Sequence, residues 1–205
     1  VFITGASNNT LQGNVISDNG QNLPACPGSG GSGVVITQGL SGTTTGNRVI
    51  GNLIGTDATG ATARPNAVDG VRLSNAPGNL IGGLAAGEGN RIAFNGARGV
   101  NVITGTQAAI RGNAIFANSS VGIDLGSDGP TANDLGDLDA GPNNLQNFPS
   151  LTAAFINPAG DLVVQYAVDS PPANSPYPLA VDLYEADSAA GGEGRSPVCR
   201  LRGVG

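Results

Sequence analysis

Apolar residues in this chain fall into short runs that alternate with polar ones and do not form helical stripes. Four runs share one shape, Gly33-Val-Val-Ile36, Gly70-Val-Arg-Leu73, Gly99-Val-Asn-Val102 and Gly122-Ile-Asp-Leu125. Side chains two apart lie on the same face of an extended chain, so each run predicts a short strand with one buried face. The runs recur at spacings of 37, 29 and 23 residues, with a second signal, Gly-Asn-x-(Ile/Val), interleaved between them. It stands at Gly13-Asn14, Gly46-Asn47, Gly51-Asn52, Gly78-Asn79, Gly89-Asn90 and Gly112-Asn113. Whole units also superpose: Ile3-Thr4-Gly5 with Leu11 to Ile16 aligns with Ile103-Thr104-Gly105 and Ile110 to Ile115 across one residue of gap.

Strands of about three to five residues are too short to pair as hairpins. In the 23-residue unit, however, three strands and three turns can bring the chain back one strand spacing, about 4.8 Å, further along. This predicts an all-β fold over residues 1–150, a right-handed parallel β-helix or solenoid. Val35, Leu53, Leu80, Ile92, Val102 and Ile115 are expected among its inward residues or their immediate neighbours. The longer units carry insertions at residues 56–60 and 84–88. A β-sandwich is the rival fold for regularly spaced short strands, and the repetition of whole units disfavours it. The Asn after each Gly predicts either a ladder of stacked side-chain amides or simply a residue that tolerates a left-handed turn. After Pro149 the pattern changes to longer strands, Leu151–Ile156, Leu162–Val168 and Leu179–Tyr184. Residues 151–205 therefore read as a short C-terminal strand extension or a partial β-sandwich.

Composition narrows the chemistry. The 205 residues include 34 Gly and 13 Pro, and only 12 % are charged. His, Lys, Trp and Met are absent, which excludes His-based catalytic pairs and His metal ligands. A net charge of −6 with arginines scattered singly leaves no basic stripe for nucleic acid and nothing to hold an anionic membrane. There is no apolar run of about 18 residues and no leader-like N-terminus, so neither membrane insertion nor a signal peptide is expected. The chain reads as a mature piece or a fragment. Cys26 and Cys199 are either one disulfide of a secreted protein, within or between chains, or two free thiols.

Residues 122–149 form an acidic, glycine-rich loop. Asp128, Asn133, Asp134, Asp137 and Asp139 can supply hard oxygen ligands of the kind Ca²⁺ prefers, with Gly136 and Gly141 letting the backbone fold tightly. A solvated acidic loop without an ion is the alternative.

The runs Gly51 to Gly60, Asp69 to Gly83, Gly122 to Gly126 and Gly141 to Pro149 resemble those of bacterial secreted right-handed parallel β-helix repeat proteins, including the CSLREA type. The resemblance implies a secreted or cell-surface protein and the opening strands of an immunoglobulin-like β-sandwich after Pro149. The expected later strands of such a sandwich are missing from residues 194–205. The architecture also resembles pectate lyases, in which a calcium cluster works with a basic residue. The candidates here are Arg72, Arg91, Arg98 and Arg111, of which Arg72 and Arg91 are expected to point outward. Arg is a poor proton acceptor, and the partners it would need are not visible. Asp57 and Asp69 are a candidate carboxylate pair, set against the commoner role of turn aspartates as local caps. Residues 1–150 hold no Trp or Tyr to stack a sugar, and Phe94 and Phe116 read as core or interstrand contacts. The favoured function is therefore an extracellular structural or adhesive solenoid, a rigid spacer, stalk or fibre subunit without catalysis. Its expected partners are a second copy end to end or further domains of a larger polypeptide. The alternative is a polysaccharide-binding or lyase-like module.

Overall fold

The structure, a computed structural model, describes residues 1–20, 30–40, 42–175, 178–186 and 194–202, the last of these from 196 onward as backbone only. Cys26 and the side chain of Cys199 lie outside the described residues. Chain order runs coil by coil. Coil 1 holds β1 (Phe2–Thr4), β2 (Thr10–Gln12) and β3 (Val15–Ile16), and coil 2 holds β4 (Val34–Thr37), β5 (Arg48–Ile50) and β6 (Leu53–Ile54). Coil 3 holds β7 (Val71–Ser74), β8 (Leu80–Gly82) and β9 (Arg91–Ala93). Coil 4 holds β10 (Val100–Val102), β11 (Ala109–Arg111) and β12 (Ala114–Phe116), and β13 (Ile123–Leu125) opens a fifth. Equivalent strands stack into three parallel sheets, β1-β4-β7-β10-β13, β2-β5-β8-β11 and β3-β6-β9-β12. This is the right-handed parallel β-helix expected from the repeats.

The register explains the repeat. Val34, Val71, Val100 and Ile123 are consecutive rungs, as are Ile36, Leu73, Val102 and Leu125. Ile54, Ile92 and Ile115 form a third inward column and Val49 with Ile81 a fourth, all within one core cluster. Each inward side chain taken from water stabilises the coil by about 1.5–3 kcal/mol. Val35, Leu53 and Leu80 are the outward neighbours of these core residues, while Ile92, Val102 and Ile115 point in. The glycines that open the first strands of coils 2 to 4 are required by close approach. A Cβ at Gly33, Gly70 or Gly99 would stand 2.8, 2.7 or 2.6 Å from the carbonyl oxygen of Gly70, Gly99 or Gly122 on the next coil.

Two expectations need correction. Val102, not Ile103, occupies the rung of Ile3, so the superposition is one residue out in its first half, whereas Leu11 and Ile110 do share a column. The inward position is set by the alternation counted from Gly99, which the shared Ile-Thr-Gly tripeptide obscures. The second concerns the tail. After a 3₁₀ turn (Pro142–Leu145), β14 (Ser150–Ile156) pairs antiparallel with β15 (Leu162–Ala167). β16 (Ala180–Ala186) likewise pairs with β17 (Gly194–Arg202), in a segment where no strand was expected. Pro197, which argues against a strand, sits where the register shifts between Leu183 and Tyr184, and a bulge is a position at which a strand tolerates proline.

The β16–β17 hairpin lies against the last coil. Arg111 on β11 donates from Nε and Nη2 to the two carboxylate oxygens of Asp182, both at 2.6 Å. Ile110, Ile115 and Ile123 face Val181 and Tyr184 across a cavity of about 500 Å³.

Candidate functional site

The turns between sheets decide between the two readings of the Gly-Asn signal. Gly13, Gly46, Gly51, Gly78 and Gly112 take the left-handed conformation, with φ between 63° and 71°. This leaves the following Asn free to turn its side chain inward. Asn14, Asn52, Asn90 and Asn113 then stack one per coil. Asn52 donates from its backbone N–H and Nδ2 to Oδ1 of Asn90, at 2.9 and 3.0 Å, and Asn90 donates likewise to Asn113, at 3.0 and 2.8 Å. A second ladder runs Asn9–Asn47–Asn79. It continues at Ala108, whose backbone N–H and C=O are met instead by Oδ1 and Nδ2 of Asn143, both at 2.8 Å. A third ladder, Asn19–Asn66–Asn95–Asn118, lacks a Gly-Asn signature and was not visible in the sequence. Its left-handed residues include Asp18, Phe94 and Ala117, and Pro65 precedes Asn66.

The acidic loop follows β13. Asn133 and Phe148 exchange two hydrogen bonds, side chain to backbone, at 2.8 and 2.9 Å, closing the loop at its base. Asn147 reinforces the closure by accepting from the Asp134 N–H at 3.0 Å and donating to the carbonyls of Asp134 and Asp169, at 2.9 and 2.6 Å. Inside this frame the carboxylates of Asp134, Asp137 and Asp139 converge, with one ligand oxygen from each within 4.8 Å of the others. Asp137 is buried and well partnered. Its Oδ1 accepts from the Asn147 N–H at 2.8 Å, and its Oδ2 accepts from Gln146 Nε2 at 3.0 Å and from the hydroxyls of Ser170 and Ser175. Asp134 Oδ2 accepts from the N–H groups of Leu138 and Asp139, at 3.0 and 3.2 Å.

The other oxygen of Asp134 and Oδ1 of Asp139 are buried without a hydrogen-bond partner. A buried acceptor without a donor is unfavourable, and a proton or a cation there would relieve it. Consistent with this, burial and then the neighbouring Asp134 and Asp137 push the Asp139 carboxyl above its ordinary range. Oxygen ligands from three carboxylates suit a hard cation such as Ca²⁺, with water completing six to eight ligands. The structure places the other two expected ligands elsewhere. Asn133 is committed to Phe148, and Asp128 lies beside Gly126. Ser170 and Ser175, which hold Asp137, come more than thirty residues later, and no local spacing pointed to them.

Three other carboxylates, Asp57, Asp69 and Asp124, are held by fixed partners. Asp57 is enclosed by its own loop, accepting from the Thr59 hydroxyl at 2.7 Å and from the Thr59, Ala61 and Thr62 N–H groups. The Thr59 bond above all brings it down to about 2. Asp69 accepts instead from the Arg98 N–H at 3.3 Å and from Asn101 Nδ2 at 3.0 Å, so the two do not form a carboxylate pair. Arg98 Nε donates to Asp124 at 2.7 Å, fixing both Asp69 and Asp124 on the outer face of the first sheet. Phe94 and Phe116 meet edge to face, with centroids 5.9 Å apart.

No curated protein and no solved structure matches the chain. Residues 1–134 match the right-handed β-helix region, a span ending at the first aspartate of the acidic cluster. With a family match over more than half its length and the stacked parallel coils that define the fold, the chain belongs to the right-handed β-helix family.

Proposed function

We propose that this β-solenoid serves as a rigid structural module, a non-catalytic spacer or stalk at the cell surface or outside the cell, whose C-terminal junction is locked by a calcium ion. The carrying observation is the trio of asparagine ladders. They tie every coil to the next by side-chain as well as backbone hydrogen bonds, and so resist shear and bending along the axis. Asp57, Asp69 and Asp124 support the non-catalytic part of the reading, since their oxygens are engaged by fixed donors. The calcium part rests on Asp134, Asp137 and Asp139. Asp137 binds Ser170 and Ser175, and Gly136 binds Asp169 and Asn174, so a cation here would fasten the loop that ends the solenoid to the strands after it.

Pulling single molecules between their ends tests the mechanical reading, with a force plateau expected for each coil lost and a separate early event from the junction. Calcium should raise the force of the junction event alone. Turnover of polygalacturonate or alginate, abolished in a single Asp or Arg variant, would replace this reading with the lyase alternative.

A further inference from the structure

We infer that the cavity between the last coil and the β16–β17 hairpin is a binding site for a small apolar molecule that carries a neutral primary carboxamide. The inference rests on how the second asparagine ladder ends. In its lower rungs Asn14, Asn52 and Asn90 each give the backbone N–H and an Nδ2 proton to Oδ1 of the Asn on the next coil. From the second coil on, Nδ2 also reaches back to a carbonyl of the coil before, Asn52 to Leu11 O, Asn90 to Val49 O and Asn113 to Ile81 O. Asn113 keeps that backward bond at 2.9 Å, but among the described residues no acceptor meets its backbone N–H or its other Nδ2 proton. Leu11, Val49, Ile81 and Ile110 form one column, so the register turns the Ile110 carbonyl toward the next rung as it turns the three below it. Two donors on Asn113 and an acceptor on Ile110 are therefore set out as an asparagine amide meets them on the coils below.

Asn113 and Ile110 both line the cavity of about 500 Å³. Asn113 is only 3 % exposed, whereas Asn118, which ends the third ladder, is partly open to solvent. Donors buried without an acceptor are unfavourable, so a molecule that supplies the acceptor is favoured there. The first ladder shows that a carboxamide closes such an end, since Asn143 meets both the N–H and the C=O of Ala108. The rest of the cavity wall is largely apolar, with Ile115, Ile123, Val181 and Tyr184 upon it. Arg111 and Asp182 also line it but hold each other through two bonds, which leaves neither charge for a carboxylate or an ammonium and favours a neutral group. An apolar wall with a few convergent polar groups, enclosing a few hundred cubic ångströms, is the usual form of a small-molecule site.

The test titrates the protein with hexanamide and with benzamide, each against its methyl ester, while following the backbone and side-chain amide resonances of Asn113. Saturable shifts at Asn113 are expected with at least one amide; tighter binding of hexanamide assigns the site to aliphatic bodies, tighter binding of benzamide to aromatic ones, and either supports the proposal. An ester keeps the carbonyl but has no N–H for Ile110, so it should bind about tenfold more weakly than its amide, the scale of one hydrogen bond. I123W fills the cavity from a half-exposed position and should abolish the shifts. The ester comparison uses the unaltered chain and stands whatever I123W does to the fold. Shifts that rise linearly without saturating, an ester that binds as tightly as its amide, or saturation that survives in folded I123W overturns the proposal.

Discussion

Replacing Asn90 by Ala should be among the most damaging single changes outside the apolar core. Asn90 is almost fully buried and stands third of four in its ladder. Its Oδ1 receives the backbone N–H and Nδ2 of Asn52, and its Nδ2 donates to Val49 O at 2.7 Å as well as to Asn113. Truncation leaves the Asn52 N–H with no side-chain acceptor and takes a donor from both Val49 O and Asn113 Oδ1. Asn52 Nδ2 retains Leu11 O and Ile50 O, so that group is not orphaned. Asn113 Oδ1 keeps the Asn90 backbone N–H, so at most two unsatisfied buried groups, at about 1–3 kcal/mol each and lessened by water entering the space vacated, give a destabilisation of about 2–4 kcal/mol. Asn9 occupies the same kind of position in the first coil but is exposed, so N9A should cost under about 1 kcal/mol. Urea unfolding followed by circular dichroism compares the two variants, and amide hydrogen exchange at Asn52 gives a local reading. Loss of about 2.7 kcal/mol there would speed exchange about a hundredfold. Equal midpoints for N90A and N9A, or an unchanged Asn52 exchange rate, would refute the claim that side-chain amides and not the strands alone hold the coils together.

Three further outcomes can be checked. Ala117 is exposed and held at φ 53°, so A117G should stabilise the protein by about 0.5–1 kcal/mol, and a lower melting temperature would contradict the assignment of backbone strain there. R111A removes the bidentate partner of Asp182 and should release the β16–β17 hairpin, costing about 1–2 kcal/mol and raising exchange in β16 while β5 and β8 stay protected. Because Asp139 is held above its ordinary range, its contribution is complete below the unfolded carboxylate range and lost as pH rises through the raised value. Melts in chelator should therefore fall between acid and neutral pH, and calcium should abolish the fall; a pH-independent melt in chelator would show that Asp139 is already neutralised by the protein.

The apolar rungs were legible because they repeat in kind as well as in spacing. Gly33, Gly70 and Gly99 are fixed by contact between coils, and the residues that follow them and Gly122 point in, out and in. Only part of the ladder system could be read. Where the left-handed residue is Gly, as at Gly51 and Gly112, the Gly-Asn pair stands out; where it is Phe94 or Ala117 the same geometry leaves no mark. The tail was harder because its pairing depends on partners distant in sequence. Nothing near Arg111 points to Asp182, 71 residues away, and Pro197 hides the strand that contains it.

The acidic site shows the same division between what a local sequence encodes and what the fold supplies. Asp134, Asp137 and Asp139 lie within one loop, so their type and crowding are read directly. Which of the neighbouring oxygens joins them is settled by backbone closure, and closure commits Asn133 to Phe148 and draws Asn147 between Asp134 and Asp169. Ser170 and Ser175 complete the enclosure of Asp137. That removes one carboxylate from water and raises the cost of leaving the other two without a counter-charge. A cation bound there is therefore coupled to the strands beyond Pro149 as well as to the solenoid. Substituting Ser170 should weaken calcium binding even though Ser170 is not one of the three converging acids. If S170A bound calcium as tightly as the unaltered chain while D134N did not, the loop would be a site independent of the junction it is proposed to lock.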